Sequence, residues 1–210
     1  MVLAHDGVYS TGRPMSLYGS ALFVHVVFAI LLVSGGVYTH LAMTLAPRAR
    51  SVDGVRSHMT WLHTFVKATV PLAAVVLATG VYMAFAGGWW GAGWPVVSLA
   101  LFALGGAGAT VLVDPRVARL RATLDQIPDG LVTPELRSRL VDPMLRLAGA
   151  VLVGADLTIV LLMTNKPGWT GSVTAALAGV TAGAVAGVVA NRVSAGHVAI
   201  PTSAPPPGRL

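Results

Sequence analysis

The chain contains no cysteine. That excludes disulfides, thiolate metal sites and cysteine-held iron–sulfur clusters. It excludes little about compartment, because a lipid-embedded bundle needs no covalent staples. Charge is also scarce: 10% of the 210 residues are Asp, Glu, Lys or Arg. Soluble domains carry about 25%. Aromatic residues are few, at 7%, yet three of the five tryptophans fall between Trp89 and Trp94. No nucleophile–base triad, phosphate loop or HExxH zinc pattern is present, so an enzyme is not the expectation.

What is abundant is apolar sequence, 55% of the chain, with a mean hydropathy of +0.74. It falls into long runs at about 17–45, 61–86, 95–113, 144–164 and 171–190. Stretches of some 20 apolar residues read as membrane spans. The expected fold is therefore an all-α membrane protein, a four-helix transmembrane core plus a fifth Gly/Ala-rich transmembrane helix. Residues 1–16 carry Gly7, Gly12 and Pro14, which break helix. The first run is too long for the core of a signal peptide, so it reads as a retained span. Pro71 lies inside the second run, where neighbouring helices can satisfy the carbonyl it frees. Trp89, Trp90 and Trp94 suit a membrane–water interface.

Residues 114–143 form the main polar stretch, with Val117, Leu120 and Leu124 at helical spacing. This predicts an amphipathic helix on the membrane surface. Residues 191–210 read as a disordered tail with the Pro205–Pro207 run.

The net charge of +6 follows orientation rather than nucleic acid, since the basic residues sit in loops. Arg48, Arg50, Arg56 and the arginines of 114–143 fall on one side, with Arg192 and Arg209. The positive-inside rule places that side in the cytoplasm of a bacterial inner (plasma) membrane, with the N-terminus outside and the C-terminus inside.

Ionisable groups at membrane depth are functional candidates by default. Counting helix rise puts His25 and Asp156 at a shared outer depth, a candidate buried polar pair. His40 and His63 share a cytoplasmic depth on neighbouring antiparallel spans, and Lys67 lies one turn from His63. Two imidazoles on facing helices can hold haem b, with Lys67 for a propionate. With His58, Met43 and Met59 the same set also suits copper. Histidines near the interface can equally serve lipid headgroups alone, with no cofactor. In the fifth run Ala175, Gly179, Gly183 and Gly187 recur every fourth residue, a ribbon for close helix packing. Its partner is another span of this chain, a second copy or another membrane protein.

Three motifs carry a resemblance: His25 followed by Ser34-Gly35-Gly36, Thr79-Gly80-Val81-Tyr82, and Met163-Thr164-Asn165-Lys166-Pro167. Through them runs one to four resemble a group of bacterial integral-membrane proteins, itself similar to the membrane domain of copper-resistance D proteins. The resemblance implies a four-helix membrane core, with His25 and Lys166 as matched positions. The fifth run departs from the copper-resistance pattern, as does the lack of a periplasmic copper-binding domain in these 210 residues. The functions in view are haem or metal binding in a redox role, an interaction subunit of a larger membrane complex, and a metal or proton transporter.

Overall fold

A computed structural model describes residues 16–198. The expected N-terminal segment and the Pro-rich tail lie outside the described residues, apart from Ser16 and residues 191–198. Seven α-helices follow in order: α1 Leu17–Leu45, α2 Val52–Ala86, α3 Gly93–Gly108, α4 Asp114–Asp125, α5 Pro134–Leu140, α6 Pro143–Asn165 and α7 Trp169–Val198. A π-helical segment, Ala109–Val113, joins α3 to α4. Five rods are long and apolar enough to cross a membrane: α1, α2, α3 continuing through α4, α6 and α7.

Local chemistry sets the helix starts. The Ser16 hydroxyl accepts from the Gly19 amide at 3.0 Å, and the Ser51 hydroxyl accepts from the Gly54 amide at 3.2 Å. The Asp142 carboxylate accepts from Met144 and Leu145 amides at 2.9 and 3.0 Å, with Pro143 in the first turn. Each cap satisfies amides that the helix itself leaves open. At the α2–α3 turn Gly88 takes a φ of +67°, a left-handed conformation that glycine adopts without a Cβ clash.

Two rods outrun the bilayer. At 1.5 Å per residue, the 35 residues of α2 span about 52 Å, against a hydrocarbon core of about 30 Å. The α3–α4 rod, 33 residues, spans about 50 Å. Both project at the same end and pack together there. The second helix thus starts at Val52 rather than Trp61, and the amphipathic helix of 114–125 continues span three instead of lying apart from it. Met43, Val52, Val55, Met59, Leu62, Val117, Leu124, Leu136 and Leu145 form one buried cluster at this capped end. Arg50, Val52, Gly130 and Val132 stitch it by backbone hydrogen bonds of 2.9 and 3.0 Å, and Arg56 pairs with Asp129.

The location of this core follows from solvent. Apolar burial is driven where water is the alternative; between helices in lipid that drive is absent. Accordingly only 11% of the most apolar window of α1, α2, α3 or α7 is buried. For α6 the share is 22%, which marks it as the central helix. It packs against α1, α3 and α7, while α1 pairs with α2.

Candidate functional site

Between α1, α2, α3 and α6 lies a cavity of about 200 Å³. Glycines open it: Gly35 and Gly36 on α1, Gly105 and Gly106 on α3, and Gly149 on α6 all line it. Its polar lining comprises Thr39, His40, Thr69, Thr110, Asp114 and Asp156. The threonine hydroxyls donate back to helix carbonyls, Thr39 to Gly35 at 2.8 Å and Thr110 to Gly106 at 3.0 Å. Their lone pairs stay available to a guest.

The ionisable groups are seated by small residues opposite. A Cβ on Gly36 would lie 3.0 Å from an Asp156 carboxylate oxygen, and a Cβ on Gly149 would lie 2.9 Å from His40 Nδ1. Both glycines are therefore cradles for a polar side chain. His40 Nδ1 is buried without a hydrogen-bond partner. Among the described residues no hydrogen bond or ion pair within the chain holds Asp114 or Asp156.

The π-helical segment forms one wall through Ala109, Thr110 and Val113. Pro115 has no amide hydrogen, which leaves a carbonyl of the preceding turn open. Arg116 donates from Nη1 to the Leu112 carbonyl at 2.7 Å and lies 3.8 Å from Asp142, the cap of α6. One arginine thus ties the irregular wall to the start of the central helix. π-segments of this kind recur at functional sites.

The residues singled out from sequence are distributed differently from expectation. His25 does not meet Asp156. Its Nδ1 lies 3.0 Å from both the Val76 carbonyl and Thr79 Oγ1 on α2. Asp156 packs at Gly36, 11 residues along α1 from His25, or about 16 Å by helix rise. The reason is stagger: Asp156 lies 9 residues from the outer end of α6 while Gly36 lies 19 from that of α1, so α1 runs beyond α6 there. Asp156 meets Gly36 and Gly149 meets His40, so seven residues of α6 match four of α1. Depth counted from helix ends assumes parallel rods with flush ends.

His40 turns to α6 and the cavity. His63 does not line the cavity, Lys67 is exposed, and no hydrogen bond joins either to His40 among the described residues. The cavity, at about 200 Å³, is smaller than the roughly 300–1,000 Å³ of pockets that enclose drug-sized ligands. Among the described residues no three His, Asp or Glu side chains converge to hold a metal ion.

Gly179, Gly183 and Gly187 face α6. Cβ atoms there would meet, in turn, Thr158 Oγ1, the Ala150 carbonyl at 2.6 Å, and the Leu147 side chain and backbone at 2.9 and 3.0 Å. Gly154 of α6 faces back, its Cβ position 2.6 Å from the Gly179 carbonyl. Ala175 lies half-buried on the same helix. At the opposite end from the cap, the Lys166 ammonium sits 4.8 Å from the Trp89 ring centre and 5.7 Å from that of Trp94. Lys166 caps α6 with a φ of +48°. Asp114 is the cavity residue that sequence reasoning missed. The Asp-Pro pair at the foot of an apolar run was the available signal.

Five membrane-length helices, four of them around a glycine-lined cavity, define a polytopic α-helical membrane protein. The chain belongs to the DUF2269 family, described as predicted integral membrane proteins, with residues 20–167 matched. No curated protein and no solved structure matches it.

Proposed function

We propose that this protein moves protons, or a small cation in exchange for protons, across the membrane through the α1–α2–α3–α6 cavity. The observation that carries the reading is the pair Asp114 and Asp156 lining one membrane cavity with His40. A lone carboxylate at membrane depth is costly, and chains of Asp and His inside bundles mark proton and ion paths. Asp156 exchanges the proton, and His40 and Asp114 relay it toward the capped end. The volume exceeds the roughly 10–15 Å³ that one water needs, so a short water file can link the three groups.

The arginine-rich cap faces the cytoplasm of a bacterial inner membrane, and the tryptophan end faces outward. Arg48, Arg50, Arg56, Arg116, Arg119 and Arg121 belong to the capped end, which the positive-inside rule assigns to the cytoplasm.

Purified protein in liposomes loaded with a pH-sensitive dye tests the reading. An imposed pH gradient should dissipate faster than in empty vesicles, and Asp156→Asn and His40→Ala should each slow it. Dissipation equal to that of empty vesicles, or unaltered by both variants, defeats the proposal. The haem reading rests on the shared level of His40 and His63. It would need His63 turned from its present face, and a pyridine haemochrome assay on wild type and His63→Ala decides it.

A further inference from the structure

His63 and Lys67 are left unexplained by the cavity. The two lie at i and i+4 on α2 and so share a face. The third member of their group is Arg121 of α4, which together with Lys67 lies within electrostatic range of His63. Register agrees independently. Arg56 of α2 reaches the Leu124 and Ile127 carbonyls at 3.3 and 2.9 Å, so His63, two turns along α2, falls two turns back along α4, at about the level of Val117 to Leu120. Arg121 is the next residue along α4.

The group sits at a definite level. Trp89 and Trp90 mark one interface, just beyond Ala86. About 20 residues cross the hydrocarbon, and counting back that many from Ala86 ends at Lys67. His63 is about 6 Å further out. The hydrocarbon boundary and the headgroup layer above it are therefore where these cations stand. None has a salt bridge among the described residues, whereas Arg56 pairs with Asp129 and Arg116 with Asp142. Asp125, four residues beyond Arg121 on α4, shares its face and makes no salt bridge with it among the described residues. Lys67 is exposed, and His63 and Arg121 are half-exposed, so the cluster is open to an approaching lipid.

We propose that His63, Lys67 and Arg121 form a binding site for the phosphate of an anionic phospholipid, seated between α2 and α4 at the capped-end boundary. Lys67 and Arg121 supply fixed positive charge, and His63 supplies a ring N–H donor between them. Basic pockets between spans are the usual receptors for such headgroups. The site holds a lipid against the two rods that project from the membrane.

The test titrates fluorescent phosphatidylglycerol into the purified protein in detergent, beside a phosphatidylcholine analogue. Wild type should bind the anionic lipid more tightly. Each cation removed should weaken binding about fivefold, so Lys67→Gln/Arg121→Gln should lose about 25-fold. Lys67→Arg should keep the affinity, which a merely structural role would not predict. Lys67→Gln alone, at an exposed position, reports even if the double variant misfolds. Equal binding of both lipids by wild type overturns the site, as does undiminished binding by Lys67→Gln. Full displacement by millimolar inorganic phosphate would assign the site to a soluble anion and overturn the lipid.

Discussion

Replacing Gly183 with alanine adds one methyl group at a close approach of α6 and α7. The new Cβ would stand 2.6 Å from the Ala150 carbonyl oxygen, 3.0 Å from Val151 Cα and 3.2 Å from the Ala150 carbonyl carbon. All three are backbone atoms, so no rotamer change relieves the overlap. Ordinary contact needs about 3.5 Å, which requires the helices to part by about 0.9 Å at this point. A gap of 0.5–1 Å forfeits a quarter to a half of each dispersion contact around it. Packing is the main attraction between helices in lipid, so the loss is not offset by a hydrophobic gain. Overpacking costs about 1–3 kcal/mol. Gly108→Ala is the control, because nothing lies within 4 Å of its Cβ position; it should be neutral or stabilising by up to about 1 kcal/mol through helix propensity. Thermal unfolding followed by circular dichroism in one detergent compares the two. Gly183→Ala should melt several degrees lower and Gly183→Leu lower still. Equal melting of Gly183→Ala and Gly108→Ala would refute the close-packed ribbon.

Other perturbations probe separate contacts. His25→Leu should cost about 1 kcal/mol by removing the link to Val76 and Thr79; combined with Asp156→Leu its effect should add within about 0.5 kcal/mol, and strong coupling in a double-mutant cycle would restore the direct pair. Lys166→Ala should lower stability by about 0.5–1 kcal/mol, losing the tryptophan contacts while keeping the left-handed backbone. Lys166→Gly should melt near wild type, because release of about 1 kcal/mol of backbone strain offsets the same loss. Cysteine introduced in this Cys-free chain as Asp53→Cys or Asp125→Cys should resist impermeant thiol reagents in intact cells; strong labelling would reverse the orientation.

The apolar runs made the five spans legible, because membrane length and side-chain hydropathy are properties of sequence alone. The ends were less legible where helix continues into water. Val52, Val55, Met59 and Leu62 are interrupted by Asp53, Arg56 and His58, so hydropathy falls while the helix goes on. The buried faces of these projecting turns follow helical spacing rather than mean polarity. Similarly, Asp114-Pro115 reads as a stop, yet the π-segment carries the rod through it. The ionisable residues were legible as a set and not as partners. Depth fixes a residue along its helix but not around it, and the stagger between the outer ends of α1 and α6 shifts even the depth. That is why His25 went to α2 and Asp156 to Gly36. The glycines opposite His40 and Asp156 could be paired with them only once the helices were in place.

Proton uptake at Asp156 is the central claim. Infrared difference spectra of the reconstituted protein across an acid pH jump read it directly, through the carbonyl stretch that a carboxylate gains when it binds a proton. Wild type should show such a band, Asp156→Asn should lack it, and Asp156→Glu should show it displaced. A wild type without a carboxyl band, or an unchanged band in Asp156→Asn, would contradict the account.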